Sequence, residues 1–346
     1  MRALLFLALV AACDDSKPAT AYLDAPASPF DAADTDAPDL DGPPANPCDY
    51  TEAHDATNDT TGAGTAEASG LTFQTRSVLC SEFESDHFDG DITVDIDAYR
   101  IHVAQASTVT LRLSGAGLDA IEFVGMDIYD GAQFDHLAGT NTFYGDHAVT
   151  EIPLPAGDYE LLPFALNSAA IPATLAYRIT MTVETRGCTD GGSYAEAHDG
   201  AANTGNDMVT IPDGSPIALT ASTADAPEPS GLTIAPDRSI GLSGNLADVM
   251  VVDKYEDKDT FEIATGPMTN ELDVQLAWTG ASNLDFYLFE AGSPDAIVRA
   301  IDTAATEHRK FSVKPSTTYW LTTGVRAGTT VPVNYAIDAC GIAFNP

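Results

Sequence analysis

Tyr50-Thr51-Glu52-Ala53-His54-Asp55 returns as Tyr194-Ala195-Glu196-Ala197-His198-Asp199, so a Glu-x-His-Asp group stands twice in the chain. Two carboxylates and an imidazole within four residues are cation donors, and with the neighbouring acids His54 and His198 would suit a transition metal. One histidine and two acids do not fill a coordination sphere, however, and no second histidine is near either copy. The competing reading is structural: Glu and Asp cap a turn while His covers an edge strand. Each copy follows a cysteine, Cys48 or Cys188, and an echo of this kind marks a duplicated unit. Other catalytic signatures are missing. There is no Gly-x-Ser-x-Gly elbow and no His-Glu-x-x-His, and Gly62-Ala63-Gly64 lacks the remaining glycine of a phosphate loop. The seven histidines are scattered. The expectation is a protein that is not an enzyme. Trp278, Trp320, Phe123 and Tyr144 could line a sugar or peptide surface, although aromatics at alternating positions ordinarily belong to a core.

The elements that must position these residues fit two domains, since 346 residues suffice for two buried cores and a hydrophobic fraction of 44% is that of a globular protein. Against 52 Asp plus Glu stand 15 Lys plus Arg, a formal net charge of −37. Such a surface repels phosphate backbones and anionic headgroups, which excludes nucleic acid as a partner. The acids are spread throughout, a pattern that serves solubility more than one concentrated cation site.

Five cysteines leave one over after pairing. Met1-Arg2 begins a positive start, Ala3 to Ala12 is a short apolar run, and small residues lead into Cys13. The run is too short for a permanent membrane helix and reads as a secretory signal over residues 1–12. Val10-Ala11-Ala12-Cys13 resembles the lipobox of bacterial lipoproteins, which implies lipidation (palmitate among the acyl groups) at Cys13. The expected address is the bacterial cell envelope, at the outer membrane or cell surface, with the lipid anchor as the contact with the membrane. Residues 13–47 are an Asp/Ala/Pro-rich tether without a helical or strand period. In an oxidising compartment Cys48, Cys80, Cys188 and Cys340 form disulfides in one of three connectivities. Cys48–Cys80 with Cys188–Cys340 keeps each bridge inside one copy. Closing those loops contributes about 3.7 and 5 kcal/mol as upper figures.

Further anchors extend the repeat. Ser69-Gly70-Leu71-Thr72 returns as Ser230-Gly231-Leu232-Thr233, and Arg76-Ser77 as Arg238-Ser239. Asp95-Ile96-Asp97-Ala98-Tyr99 matches Asp257-Lys258-Asp259-Thr260-Phe261, Pro155 to Tyr159 matches Pro315 to Tyr319, and Tyr177-Arg178-Ile179 matches Tyr335-Ala336-Ile337. The copies span 48–186 and 187–346, with an insertion around Pro212 to Pro229 in the second. Alternation in Tyr99-Ile101-Val103, Val109-Leu111-Leu113, Val274-Leu276-Trp278 and Val333-Tyr335-Ile337 predicts strands, with turn chemistry between them. The fold class is all-β: two tandem antiparallel β-sandwiches after a disordered acidic tether.

At these anchors each copy resembles the bacterial pre-peptidase C-terminal domain, a jelly-roll module appended to many secreted bacterial peptidases. The resemblance rests on Glu52 to Asp55 and Glu196 to Asp199, on Asp95/Asp97/Tyr99 and Asp257/Asp259/Phe261, and on Leu284-Asp285-Phe286-Tyr287-Leu288 with the weaker Met126-Asp127-Ile128-Tyr129. The Pro155 and Pro315 turns complete it. It implies a jelly-roll-like sandwich. It also implies calcium as the candidate cofactor, on Glu52, Asp55, Asn58 and Asp59 in the first copy and Glu196, Asp199 and Asn203 in the second. His54 and His198 stand where the family has Asn, and imidazole is a poor calcium ligand. The peptidase that accompanies the family is absent from this chain. The function expected is that of a non-catalytic binding or adhesion module for extracellular polysaccharide or protein. The alternative is a passive structural envelope lipoprotein, or a non-catalytic subunit of a secreted enzyme complex.

Overall fold

Runs that alternate apolar and polar residues become strands with one face inward. In Tyr99–Val103 the side chains of Tyr99, Ile101 and Val103 are buried while Arg100 and His102 are exposed. The computed structural model describes residues 48–52, 66–83, 88–89, 92–131, 136–140, 143–167, 174–184, 186–196, 227–246, 258–293, 296–300, 306–327 and 332–345. The first unit contains β1 (Tyr50–Thr51), β2 (Glu67–Phe73), β3 (Arg76–Phe83), β4 (Phe88–Asp89), β5 (Ile92–Ile96) and β6 (Tyr99–Val103). It continues with β7 (Ser107–Ser114), β8 (Phe123–Asp130), β9 (His136–Thr140), β10 (His147–Leu154), β11 (Gly157–Asn167) and β12 (Leu175–Thr182). The second contains β13 (Thr189–Ala195), β14 (Glu228–Ile234), β15 (Arg238–Leu246), β16 (Lys258–Thr265) and β17 (Glu271–Trp278). After these come β18 (Asn283–Glu290), β19 (Ala296–Ala300), β20 (Thr306–Ser312), β21 (Thr318–Ala327) and β22 (Val333–Ile342). One 3₁₀ turn, Leu118–Ala120, is the helical element among the described residues.

Each unit stacks two sheets. Sheet I of the first has the order β1-β3-β12-β7-β10, and sheet I of the second repeats it strand for strand as β13-β15-β22-β17-β20. Sheet II of the second is β14-β16-β21-β18-β19. Its counterpart in the first unit places β2, β6, β11, β8 and β9 in the same relation, with β5 and β4 continuing the edge beside β11. The sheets are antiparallel except at one edge, where β1 and β13 run parallel to β3 and β15, and β2 and β14 run parallel to β6 and β16. The reason is connectivity: β1, β2 and β3 alternate between sheets, so the chain returns to sheet I by a crossover and not by a hairpin.

The parallel pairing also accounts for the repeated Ser-Gly-Leu-Thr. Register slips between Ala68 and Thr72 on β2, and between Pro229 and Leu232 on β14. At each slip the glycine, Gly70 or Gly231, has φ +67. The serine before it donates to the neighbouring strand, Ser69 Oγ to Arg100 O at 2.7 Å and Ser230 Oγ to Glu262 O at 2.5 Å. The two cores are separate and equivalent. Phe73, Leu79, Tyr99, Leu111, Ile128, Leu161 and Ile179 fill the first, and Ile234, Leu242, Phe261, Val274, Leu288, Leu321 and Ile337 the second. Truncating any of these leucines to alanine would cost about 2–5 kcal/mol. The bridges Cys48–Cys80 and Cys188–Cys340 each lie within one unit, with Cα–Cα distances of 5.8 and 5.9 Å.

Candidate functional site

The repeated opening lies against sheet I of each unit. Tyr50 and Thr51 pair with Leu79 and Cys80, and the Glu52 amide continues the ladder to Cys80 O at 3.1 Å. The Glu52 carboxylate then accepts hydrogen bonds from Ser81 Oγ and from the Tyr99 hydroxyl. Tyr99 and Tyr177 share a hydrogen bond of 2.8 Å, and Tyr177 donates to Asp97 Oδ2 at 2.5 Å. An acid–tyrosine–tyrosine–acid chain thus crosses from the opening into the core. Burial raises the Tyr99 and Tyr177 pKa values far above the ordinary phenol range, and the neighbouring carboxylates reinforce this. Both phenols therefore act as hydrogen-bond donors.

In the second unit the Glu196 amide bonds Ser243 O at 2.9 Å, and its carboxylate accepts from the Asn245 amide at 3.2 Å. Tyr335 donates to Asp259 at 2.6 Å. Phe261 replaces Tyr99, so the chain of hydroxyls is cut there. The duplicated Asp-x-Tyr/Phe and Tyr-x-Ile anchors thus meet in space as Asp97–Tyr177 and Asp259–Tyr335.

Of the candidate calcium ligands, Glu52 and Glu196 are described. Asp55, Asn58, Asp59, Asp199 and Asn203 lie outside the described residues, as do His54, His198 and Cys13. Among the described residues no group of three or more His, Cys, Asp or Glu is placed to hold a metal. The oxygens of Glu52 and Glu196 already serve protein donors, so the described residues do not by themselves form a calcium site.

A second polar centre, which sequence reasoning did not find, joins the units. The outward faces of both sheets I meet along β10 and β20, which lie against one another. Arg112 on β7 is 2% exposed and Glu271 on β17 is 0% exposed. The guanidinium is bidentate to Glu271, through Nε and through Nη2 at 2.8 Å, and bidentate to Glu184 at 2.6 and 2.9 Å. It also covers the Phe344 ring at 4.8 Å. His147, fully buried, lies between Asp146 at 2.5 Å and Glu271 at 2.9 Å. Lys310 on β20 donates to Thr110 at 3.0 Å and pairs with Glu151 and Glu184 at 2.9 Å each. His308 bridges Asp273 at 2.8 Å and Glu151 at 3.6 Å. Arg186 reaches from the connecting segment to Asp338 at 2.8 Å.

The charges hold one another ionised. Burial alone would raise the Glu184 pKa, but hydrogen bonds from Arg112 and Lys310 bring it down to about 2. Glu271 is likewise lowered, against its burial, by Arg112 and His147. Burial would lower the His147 pKa, yet Asp146 and Glu271 raise it above the ordinary histidine value.

Beside this centre Tyr144 leaves the first unit and packs into the second unit's core. It meets the Tyr319 ring edge-on at 6.5 Å, donates to Glu290, and lies under Lys314 at 4.7 Å. Trp278 packs on the same core and donates to Ser282 O at 2.6 Å. Trp320, half-buried on sheet II, donates to Glu262 at 3.4 Å, and Phe123 is half-buried at the start of β8.

The structure thus defines an all-β chain of two tandem sandwiches built on one plan and joined through a buried polar contact. No family model and no curated sequence matches it. Among solved structures it is similar to the pre-peptidase C-terminal domain of a Bacillus anthracis collagenase, at 14% identity over 34% of this chain and 96% of that one, with a TM-score of 0.25. It is also similar to PliG of Aeromonas hydrophila, a periplasmic inhibitor of g-type lysozyme, at 16% identity over 34% of this chain and 99% of the other, with a TM-score of 0.22. The tandem CBM51 modules of a family 98 glycoside hydrolase from Streptococcus pneumoniae match at 7% identity over 77% of this chain and 83% of theirs, with a TM-score of 0.22. At these identities and TM-scores, none of the three defines a family or a function for this chain.

Proposed function

We propose that the chain is a non-catalytic, lipid-anchored protein of the cell envelope whose two sandwiches form one binding head for extracellular polysaccharide or protein. The observation that carries this is the junction. Its ion pairs engage Arg112, Arg186, Lys310 and His147 with partners of opposite charge, and His308 bridges Asp273 and Glu151, so this cluster is committed to holding the units together. Because sheet I meets sheet I, sheet II of each unit lies on the far side. Two copies of one kind of surface are then held at a set separation, the arrangement in which weak single contacts add as avidity. Two disulfides suit an oxidising compartment, and Cys13 supplies the anchor in this reading. Calcium is left outside the proposal, because the described opening residues do not assemble a donor set for it.

Two experiments test the proposal. Cys13→Ser should move the protein from the membrane to the soluble fraction, and retention in the membrane refutes the anchor. That soluble form, screened against glycans and matrix proteins, should bind a ligand more weakly through either unit alone than through the pair. A screen without a ligand refutes the binding head and favours a passive envelope component.

A further inference from the structure

Strand registers align the two units residue by residue. Ile179 and Ile337 are equivalent through the Tyr-x-Ile anchor. They pair with Leu113 on β7 and Leu276 on β17, which are therefore equivalent too. Counting along those strands makes Thr110 equivalent to Asp273. Their partners across the next ladder, Glu151 on β10 and Lys310 on β20, are then also equivalent. Glu151 and Lys310 touch each other across the junction at 2.9 Å. Lys310 of the second unit reaches Thr110 of the first at 3.0 Å. The reciprocal pair, Glu151 of the first and Asp273 of the second, is bridged by His308. When equivalent residues meet, and reciprocal pairs flank them, the contact has the form of a two-fold interface with Glu151 and Lys310 at its axis.

We infer that the outward face of sheet I is a recognition surface whose fitting partner is the equivalent face of another unit of the same fold, and that the junction is a fused dimer interface. A true two-fold dimer would set identical residues against each other at the axis. Glu against Glu repels, so the exchange of Glu for Lys at one of the two equivalent positions turns self-contact into attraction. The same exchange directs each face to its counterpart and away from a copy of itself. The affinity between units therefore lies in the faces and not in the peptide that connects them.

The test uses the full chain with a protease site inserted between Arg186 and Gly187 and cut after the disulfides have formed. Each bridge lies within one half, so nothing covalent then joins the halves. They should co-elute at about 1 µM, as partners with a specific interface do. Lys310→Glu sets its carboxylate against both Glu151 and Glu184 and should weaken association by about 100-fold, as disruption of a buried charge pair does. Glu151→Lys with Lys310→Glu should recover at least about tenfold of that loss, given coupling between close interfacial charges. Circular dichroism and intact disulfides in each half establish that a variant has folded. Halves that part on cleavage while folded would overturn the inference. So would a Lys310→Glu association equal to wild type, or a double variant no better than the single one.

Discussion

Arg112→Met removes the cation around which the junction is built. Arg112 is 2% exposed and Glu271, its bidentate partner, is 0% exposed, so the variant leaves a buried carboxylate with His147 as its remaining charged neighbour. Breaking a buried pair from one side costs about 3–5 kcal/mol. At about 2–4 °C per kcal/mol for a cooperative unit the size of one sandwich, calorimetry at pH 6 should show the melting temperature fall by about 6–20 °C. Arg112→Met with Glu271→Met should restore most of it, because matched apolar groups replace a buried ion pair at little cost.

The pH profile supplies a second reading of the same contact. Glu271, Glu184 and Asp273 have lowered pKa values in the folded state, so their stabilisation is full above the unfolded carboxylate range of about 4–4.5. It is lost as pH falls through the folded values, at about 2 for Glu184. His147 has a raised pKa, so its contribution is full below about 6.5 and is lost as pH rises through the folded value. Stability at the junction should therefore be greatest between about 4.5 and 6.5, and Arg112→Met should flatten the acid limb. A single variant within about 1 kcal/mol of wild type, with an unchanged acid limb, would refute the account of the junction as the contact that sets stability.

Gly70→Ala and Gly231→Ala should each destabilise by about 1–2 kcal/mol in denaturant melts, because both glycines hold φ +67 with open space where a Cβ would stand, leaving backbone strain as the cost. Tyr177→Phe and Tyr335→Phe should each cost about 1–3 kcal/mol, since each removes the hydroxyl that a buried aspartate, Asp97 or Asp259, accepts. Glu52→Gln should destabilise the fold by about 1 kcal/mol, with the same loss of melting temperature in calcium and in EDTA at matched ionic strength, through the weakened acceptor for Ser81 and Tyr99. A wild-type stabilisation specific to calcium that this variant lacks would instead make Glu52 a cation ligand.

Most of the fold was legible because its signal is local. Tyr99, Ile101 and Val103 alternate with polar residues in the sequence and in burial, and the alternating Val109, Leu111 and Leu113 join the first core. The anchors Asp97, Tyr177, Asp259 and Tyr335 were readable as matching letters, but their meaning as hydrogen-bonded pairs needed the approach of residues 80 and 76 positions apart. The junction was illegible for a definite reason. Thr110, Arg112 and Ser114 occupy the polar positions of an alternating strand, a pattern that ordinarily faces water, yet all three are buried. Thr110 and Arg112 meet residues of the second unit, Lys310 and Glu271, at separations of 200 and 159. Tyr144 misled in the opposite sense: an aromatic outside any long alternating run, it fills the neighbouring unit's core. The parallel edge strands escaped too, since parallel register depends on which sheet the chain visits next.

The Cys48–Cys80 bridge also decides how the first unit would bear mechanical load. β1 is two residues long and lies at the edge of sheet I, so tension arriving through residue 48 would peel it away at small force. The bridge instead hands the pull to β3, which is laced to β12 from Leu175↔Phe83 to Thr182↔Arg76. In the second unit Cys188 passes tension to β22, an interior strand with β15 on one side and β17 on the other. Force entering either sandwich is thereby spread over a long ladder before any edge can unzip, and each opening strand, two residues long in β1 and seven in β13, works as a seal instead of a hinge.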